Sequence, residues 1–292
     1  MSRLQQLVSL FLLTFSFLAY AEEVTLPFKG ITLNADFQTS DAQPLSDGVI
    51  VLVHGTLAHN HMEIIRAFQE QLTENGYHTL AINLSLGVDN RHGMYDCNTP
   101  HQHKHTDALT EVDQWIQWLK NQGADKITLL GHSRGGNQVA WYTSEHPEQV
   151  QRQVLIAPAT WSAEQERVDY QTRYKKNLEQ VIKEAEQTPE NAWLKNTDFI
   201  YCANSEVTAG SFLNYYKPDT RFNTPDIIKN TTTPTLVFSG SEDTTVKDLP
   251  VQMKRIDNPH IRYFDIEGAD HFFMDLYTDE VVELIVEFLE SN

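Results

Sequence analysis

Short apolar runs and segments of helical periodicity alternate along most of the chain. The run Val49–Val53 is continuously hydrophobic and mostly β-branched, which is typical of a strand buried on both faces of a parallel sheet. An alternating stretch at 24–37 predicts one or two edge strands of a hairpin. Further short runs follow at 79–82, 127–130, 153–156, 235–238 and 261–264, and helical spacing covers 64–72, 108–119, 137–143 and 279–289. This order predicts an α/β fold, in which a mostly parallel central sheet carries helices on both faces.

The alternation stops between residues 157 and 233. A polar segment with helical spacing covers 163–187, and an aromatic-rich region follows it, with Trp193, Phe199, Tyr201, Phe212, Tyr215 and Tyr216. A connection this long between two core strands is too large for a loop. We therefore predict one α/β domain over 22–292 with a helical cap inserted at about 158–233. The aromatic side chains either line a pocket or form the core of the cap.

The N-terminus has the layout of a secretory signal peptide. Arg3 precedes an apolar run at 7–18, and the small residues Ala19 and Ala21 come just before two glutamates. This order predicts a signal peptide at 1–21 that is cleaved after Ala21. A retained anchor is the alternative, but the apolar run is shorter than the ~20 residues that a spanning helix needs. We expect an exported protein, periplasmic or extracellular, with no stable membrane anchor after cleavage.

The charge of the chain narrows the choice of partners. It carries 22 Lys and Arg against 40 Asp and Glu, a formal net charge of −18, and loss of Arg3 with the signal peptide makes it −19. Such a surface repels nucleic acid and anionic lipid, so neither is an expected partner. The sequence leaves the oligomeric state open.

The chain has two cysteines, Cys97 and Cys202. An even count in an exported protein favours a disulfide, because such bonds persist in oxidising compartments. The alternative is two unrelated buried thiols.

A candidate nucleophile follows the run at 127–130. The sequence Gly131-His132-Ser133-Arg134-Gly135 has the form G-x-S-x-G at a junction between a predicted strand and a predicted helix. Small residues on both sides of Ser133 permit a sharp turn that lifts its hydroxyl out of the sheet edge. We predict Ser133 as a catalytic nucleophile.

A serine hydroxyl needs a base, and the base needs a carboxylate to orient it. Asp243 follows the strand predicted at 235–238, and His271 follows the strand predicted at 261–264. The order of serine, acid and histidine is that of a nucleophile elbow enzyme. We therefore predict Asp243 and His271 as partners of Ser133. Glu242 and Asp248 remain alternatives for the acid, whereas Asp270 is too close to His271 in sequence to orient it.

The tetrahedral intermediate of such a reaction needs hydrogen-bond donors for its oxyanion. One predicted donor is the backbone N–H of Arg134, directly after the nucleophile. The other is the N–H of Thr56, which follows the run Val49–Val53, and Leu57 is the runner-up. We interpret His54, in the same segment, as structural.

Together these motifs carry a family resemblance. The segments VLVHGT at 51–56, GHSRGG at 131–136, FSGSED at 238–243 and GADHFF at 268–273 resemble the α/β-hydrolase superfamily over nearly the whole mature chain. The resemblance implies a mostly parallel sheet, a variable cap before the acid strand, and catalysis on acyl groups without metal or cofactor. It does not name a subfamily or a substrate.

The segment at 85–106 departs from the common pattern of that superfamily. It contains His101, His103 and His105, which share one face if the chain is extended there, so a metal site is conceivable. No carboxylate or cysteine completes such a site convincingly. We therefore predict a polar loop near the mouth of the pocket and no metal.

These features predict an enzyme that acts on a small-molecule acyl substrate, foremost a carboxylic ester or thioester. An exopeptidase or amidase is the second hypothesis, because the same three residues serve both reactions. A binding protein that has kept the fold and lost turnover is the third.

Overall fold

The computed structural model describes residues 20–291. The predicted signal peptide lies outside the described residues except for its last two positions, so it stays a prediction. Within the described part of the chain, no helix is long and apolar enough to cross a membrane.

The chain alternates strands and helices, as the sequence pattern predicts. The strands are β1 (Tyr20–Phe28), β2 (Ile31–Thr39), β3 (Val49–Val53), β4 (His78–Asn83), β5 (Ile127–His132), β6 (Arg152–Ile156), β7 (Trp193–Phe199), β8 (Cys202–Thr208), β9 (Thr235–Gly240) and β10 (Ile261–Ile266). The α-helices are α1 (Glu63–Glu74), α2 (Asp107–Asn121), α3 (Arg134–Glu145), α4 (Ala163–Tyr174), α5 (Leu178–Glu186), α6 (Ala209–Tyr216), α7 (Thr224–Ile228), α8 (Leu249–Met253) and α9 (Leu276–Glu290).

Eight of these strands form one sheet in the order β1-β2-β4-β3-β5-β6-β9-β10. The first two strands are an antiparallel hairpin at one edge, and β2 is also antiparallel to β4. The strands from β4 to β10 along this order run parallel to one another. All side chains of β3, β4 and β5 are buried, because helices cover the sheet and leave no solvated face there. Helix α1 packs with α9, and α2 packs with α3. The predicted α/β fold class is confirmed.

The cap between β6 and β9 differs from a purely helical insertion. Its polar N-terminal segment is two helices, because Lys175 adopts a left-handed conformation that ends α4 and the Asn177 side chain caps α5. Strands β7 and β8 then pair in a small antiparallel sheet. The helical spacing at 163–187 gave no sign of the break, and the short strands alternate too irregularly to be recognised in the sequence.

Most of the aromatic side chains of this segment form the core of the cap. Phe199 and Phe212 are fully buried, and Tyr215 and Tyr216 are nearly so. Their rings pack against one another in edge-to-face and tilted pairs. Trp193 and Tyr201 remain exposed.

Cys97 and Cys202 form a disulfide, as predicted. The bond joins the segment before α2 to the first residue of β8, so it ties the cap to the sheet domain across 105 residues of chain. In addition, the backbone N–H of His101 donates to Glu206, and that of Thr208 donates to His101. The cap is therefore held to this segment both covalently and by backbone hydrogen bonds.

Replacing both cysteines with serine is expected to lower the free energy of unfolding by about 4 to 5 kcal/mol, because the unfolded chain regains the entropy of a long open loop. Urea unfolding of the oxidised protein and the Cys97→Ser/Cys202→Ser variant measures the difference. Wild-type protein under reducing conditions is the matched control and should behave like the variant. Equal midpoints for the oxidised protein and the variant would show that the bond does not stabilise the fold.

Candidate active site

Ser133 occupies a strained turn between β5 and α3. Its φ of 56° and ψ of −121° lie in a region that residues with a side chain seldom adopt. The turn is held on both sides, since the Ser133 N–H donates to the Ile156 carbonyl at 2.9 Å and the Ala159 N–H donates to the Ser133 carbonyl at 2.9 Å. This geometry points the side chain away from the sheet edge, as the motif predicts.

The glycines of the motif are required by close backbone contacts. A Cβ atom at Gly131 would lie 2.5 Å from the Gly135 carbonyl oxygen. A Cβ atom at Gly135 would overlap the carbonyl oxygens of Val53 and His54. Because both obstacles are backbone atoms, larger residues would force the turn apart.

The structure brings Ser133, His271 and Asp243 into one chain of hydrogen bonds. The Ser133 Oγ lies 3.0 Å from His271 Nε2, and His271 Nδ1 lies 2.7 Å from Asp243 Oδ2. Asp243 follows β9 and His271 follows β10, so parallel strands deliver both to the edge where Ser133 sits. The His271 and Asp243 side chains are only 9% and 2% exposed.

The surroundings of Asp243 favour its ionised form. Burial alone would raise the pKa of Asp243, but the hydrogen bond from His271 and the backbone N–H groups of Thr245 and Val246 outweigh it and lower the pKa below its ordinary value. An ionised carboxylate at this place orients the imidazole with its Nδ1 proton toward Asp243, which leaves Nε2 free to accept a proton from Ser133.

The alternative acids do not reach His271. Glu242 is exposed and makes no hydrogen bond to the histidine. Asp248 instead accepts hydrogen bonds from Thr160 and Gln252. Asp270 accepts the backbone N–H of Phe272.

Both predicted oxyanion donors lie next to Ser133. Gly55 passes so close that a Cβ atom on it would lie 3.2 Å from the Ser133 Cβ, and the Arg134 Nε donates to the Thr56 Oγ1 at 2.9 Å. Within residues 20–291, the backbone N–H groups of Thr56, Leu57 and Arg134 have no protein acceptor. Leu57 therefore remains the alternative to Thr56.

Comparison with known proteins supports a family assignment. Residues 45–215, more than half of the chain, match the model of the family described as serine aminopeptidase, S33. The chain belongs to this family of α/β hydrolases.

The relatives of this S33 hydrolase differ in activity. It is 29% identical over 159 residues to a proline iminopeptidase of Clostridioides difficile, covering 49% of this chain and 46% of that protein. It is also 43% identical over 53 residues to a 1-acylglycerol-3-phosphate O-acyltransferase of Arabidopsis thaliana, covering 18% of this chain and 13% of that protein. The chain thus spans less than half the length of these curated relatives.

Solved structures match this chain over nearly its full length. Est1E from Butyrivibrio proteoclasticus has a TM-score of 0.63 at 18% identity and covers 92% of this chain and 99% of its own. A monoacylglycerol lipase of Paleococcus ferrophilus has a TM-score of 0.57 at 18% identity, with coverages of 93% and 98%. At such identities the likeness concerns the fold alone.

The sequence did not reveal the part that His132 plays in the S33 site. Its Nε2 lies 2.9 Å from the His271 carbonyl oxygen and donates to it. Burial lowers the pKa of His132 to about 3, so the ring is neutral at neutral pH. His132 thereby holds the backbone of His271 in place. The only sign of this bond in the sequence is the histidine directly before Ser133, because the acceptor lies 139 residues away in the chain.

The prediction of a polar loop at the three histidines is wrong. His101, His103 and His105 are at most 1% exposed, because the cap aromatics cover them. His101 Nδ1 lies 3.2 Å from His103 Nε2, and the other ring nitrogen of His103 lies 2.9 Å from the Tyr215 hydroxyl. Burial lowers the pKa of His101 to about 4 and that of His105 to about 3. In the described part of the chain, no three His, Cys, Asp or Glu side chains are arranged to bind a metal.

A buried polar network supports the loops beside Ser133. His54 Nε2 accepts the Leu84 N–H at 3.1 Å, and the Arg91 guanidinium donates to the Leu84 carbonyl. Glu111 accepts both the backbone N–H and the hydroxyl of Ser85. Burial raises the pKa of Glu111 to about 7, although these hydrogen bonds and Arg91 oppose it.

This raised pKa predicts that Glu111→Gln becomes more stable relative to wild type as the pH rises. The carboxyl is neutral at low pH in both the folded and the unfolded chain. Between about pH 4.5 and 7 the unfolded chain loses this proton while the folded chain keeps it, so the free energy of unfolding of the wild type falls over this range. Glutamine never ionises, so the variant should gain about 2 to 3 kcal/mol relative to wild type between pH 5 and pH 8.

Urea unfolding at those two pH values measures the gain. Glu283→Gln, an exposed position on α9, is the matched control and should show no such pH dependence. A Glu111→Gln difference that is constant with pH would contradict a buried, ionising Glu111.

Proposed function

We propose that the protein is a serine hydrolase that cleaves carboxylic esters or thioesters through an acyl-enzyme intermediate. The observation that carries the proposal is the hydrogen-bonded chain Ser133–His271–Asp243 at the ends of three parallel strands. The family match supports a hydrolase of the esterase, lipase or peptidase type.

The proposed reaction starts with attack of the Ser133 Oγ on the acyl carbon while His271 Nε2 takes its proton. Asp243 stabilises the imidazolium that forms. The backbone N–H groups of Thr56 and Arg134 donate to the oxyanion of the tetrahedral intermediate. The C–O bond of the ester then breaks, and His271 gives the proton to the leaving alcohol.

Water completes the cycle. His271 accepts a proton from the attacking water, the second tetrahedral intermediate collapses, and the carboxylic acid leaves as Ser133 regains its proton. His271 accepts and returns the proton in both halves of the reaction.

An exopeptidase or amidase is the second candidate, favoured by the match to a proline iminopeptidase. The leaving group distinguishes the two reactions, and the three catalytic residues alone do not determine which leaving group is accepted. The test is a matched pair, p-nitrophenyl butyrate and butyryl-p-nitroanilide, together with proline p-nitroanilide. We expect turnover of the ester and little or none of the two amides. Faster turnover of proline p-nitroanilide than of the ester would favour the peptidase.

We also propose that the protein acts outside the cytoplasm. The signal-like N-terminus and the disulfide between Cys97 and Cys202 both support export. Fractionation of cells that produce the full chain tests this, and a protein found only in the cytoplasm would contradict it.

A further inference from the structure

A polar cleft separates α4 of the cap from the sheet domain. One cavity of about 130 Å³ is lined by Arg134, the residue after the nucleophile. A second cavity of about 210 Å³ is lined by Thr245, two residues after Asp243. The two cavities form one cleft, because they share the lining residues Thr160, Trp161, Glu166 and Asp169. The cleft is therefore lined at one end by the neighbour of Ser133 in the chain and at the other by a residue that follows Asp243.

One charged side chain in this cleft, Glu166, lacks the partners that such a group usually has. Among residues 20–291, the Glu166 carboxylate forms neither a hydrogen bond nor an ion pair, although burial raises its pKa. Arg134 has no carboxylate within ion-pairing distance in the same part of the chain, but it donates to the Thr56 hydroxyl and stacks on the Tyr215 ring. A partly buried carboxylate without a hydrogen bond or ion pair, such as that of Glu166, is suited to hydrogen-bond a ligand.

One neutral group in the lining is also unpaired. Within the described chain, the Trp161 Nε1 has no hydrogen-bond partner, whereas the Asn137 side chain interacts with the buried His105 ring. Both Nδ2 protons of Asn137 are used, toward the Arg221 carbonyl and the Thr224 hydroxyl, which fixes the orientation of its amide. The lining thus offers one spare donor, the Trp161 N–H, besides the Glu166 carboxylate.

The net charge of the lining indicates a neutral ligand. Around the first cavity, Arg134 and Arg173 balance Glu166 and Asp169. Aromatic rings complete the wall, among them Tyr215 and Phe222. Spare donors and acceptors beside aromatic faces suit a group with several hydroxyls and apolar C–H faces, which is the chemistry of a sugar ring.

A larger cavity of about 550 Å³, lined partly by the cap, differs from the cleft in how its charged side chains are paired. Its charged side chains pair with one another, as in Lys104 with Glu190 and Lys217 with Glu186. These groups are satisfied by the protein itself.

We propose that the cleft binds the hydroxyl-rich alcohol part of the ester, such as a sugar ring, an inference that rests on the proposed function. The leaving alcohol takes its proton from His271 Nε2, so it lies on the His271 side of Ser133. Thr245, whose N–H donates to Asp243, lines the second cavity of the cleft. Glu166 and Trp161 hydrogen-bond the hydroxyls, and they determine specificity without taking part in the chemistry.

The experiment compares methyl 6-O-butyryl-glucoside with cyclohexylmethyl butyrate, which has the same six-membered ring size and no hydroxyls. We expect wild-type kcat/KM to favour the sugar ester by about 100-fold or more, because a site built to bind hydroxyls rejects an analogue without them. Glu166→Gln and Trp161→Phe should each lower this ratio about ten-fold, mainly through KM. Glu164→Gln is the matched control, since this exposed residue of α4 pairs with Arg167 and should leave the ratio unchanged.

Failure of this inference is distinct from failure of the proposed function. If p-nitrophenyl butyrate is hydrolysed but the ratio is near one, or is unaffected in both cleft variants, the sugar subsite is overturned and the esterase stands. Amide turnover of proline p-nitroanilide that depends on Glu166, with an unchanged ratio, would identify an ammonium site and also overturn it. If no ester is hydrolysed, saturation-transfer NMR with methyl glucoside decides: a signal lost in Glu166→Gln supports the cleft, and any other result overturns it.

Discussion

Replacing Ser133 with alanine is expected to lower kcat for p-nitrophenyl butyrate by about 10⁵-fold, because the acyl-enzyme route then has no nucleophile. The hydroxyl that hydrogen-bonds His271 Nε2 is lost, while the backbone of the turn is unchanged. Steady-state kinetics with a range of enzyme concentrations measures the loss. The melting temperature should stay close to that of wild type, since alanine and serine meet the same constraint at a φ of 56°.

Ser144→Ala provides the matched control for this prediction. Ser144 lies on α3, the helix that follows Ser133, and its hydroxyl donates to the Trp141 carbonyl away from the site. Its kcat should remain within about two-fold of wild type, as for most substitutions away from a reacting group. If Ser133→Ala retained the wild-type rate, another residue would have to be the nucleophile.

Asp243→Asn is expected to lower kcat by about 10⁴-fold with little change in fold. An asparagine can still accept the N–H groups of Thr245 and Val246, but its Nδ2 would face His271. The imidazole would then carry its proton on Nε2, where it cannot accept one from Ser133. The loss should appear in kcat rather than in KM, because Asp243 does not touch the substrate.

Two neighbouring acids control for the general loss of a carboxylate. Glu242→Gln and Asp248→Asn remove acids at either side of Asp243 in sequence that do not contact His271. Both variants should keep a rate close to wild type. A larger loss in either of them than in Asp243→Asn would move the acid of the triad to that position.

Much of the sheet domain could be predicted from local pattern. The apolar runs at 49–53, 127–130 and 235–238 fall within β3, β5 and β9, because strands buried on both faces need continuous hydrophobic sequence. The cap was harder to predict. Neither its break at the left-handed Lys175 nor the irregular pairing of β7 with β8 follows from hydrophobic periodicity.

In the candidate site, too, some features follow from local sequence and others do not. Ser133, Asp243 and His271 could be placed from sequence, because each directly follows a recognisable strand and parallel strands end at one edge of the sheet. The bond of His132 to the His271 carbonyl could not, since it depends on a contact between residues far apart in the chain. The burial of His101 was missed for a similar reason, since aromatic residues of the cap supply its cover.

Covalent labelling of Ser133 tests the central claim most directly. A fluorophosphonate probe reacts with a serine only when a neighbouring base activates its hydroxyl. Mass spectrometry of peptides from the labelled wild-type protein should find one adduct, on Ser133, and Ser133→Ala should remain unlabelled. Absence of an adduct on Ser133 in folded protein, or equal labelling of Ser133→Ala, would contradict the assignment of Ser133 as the nucleophile.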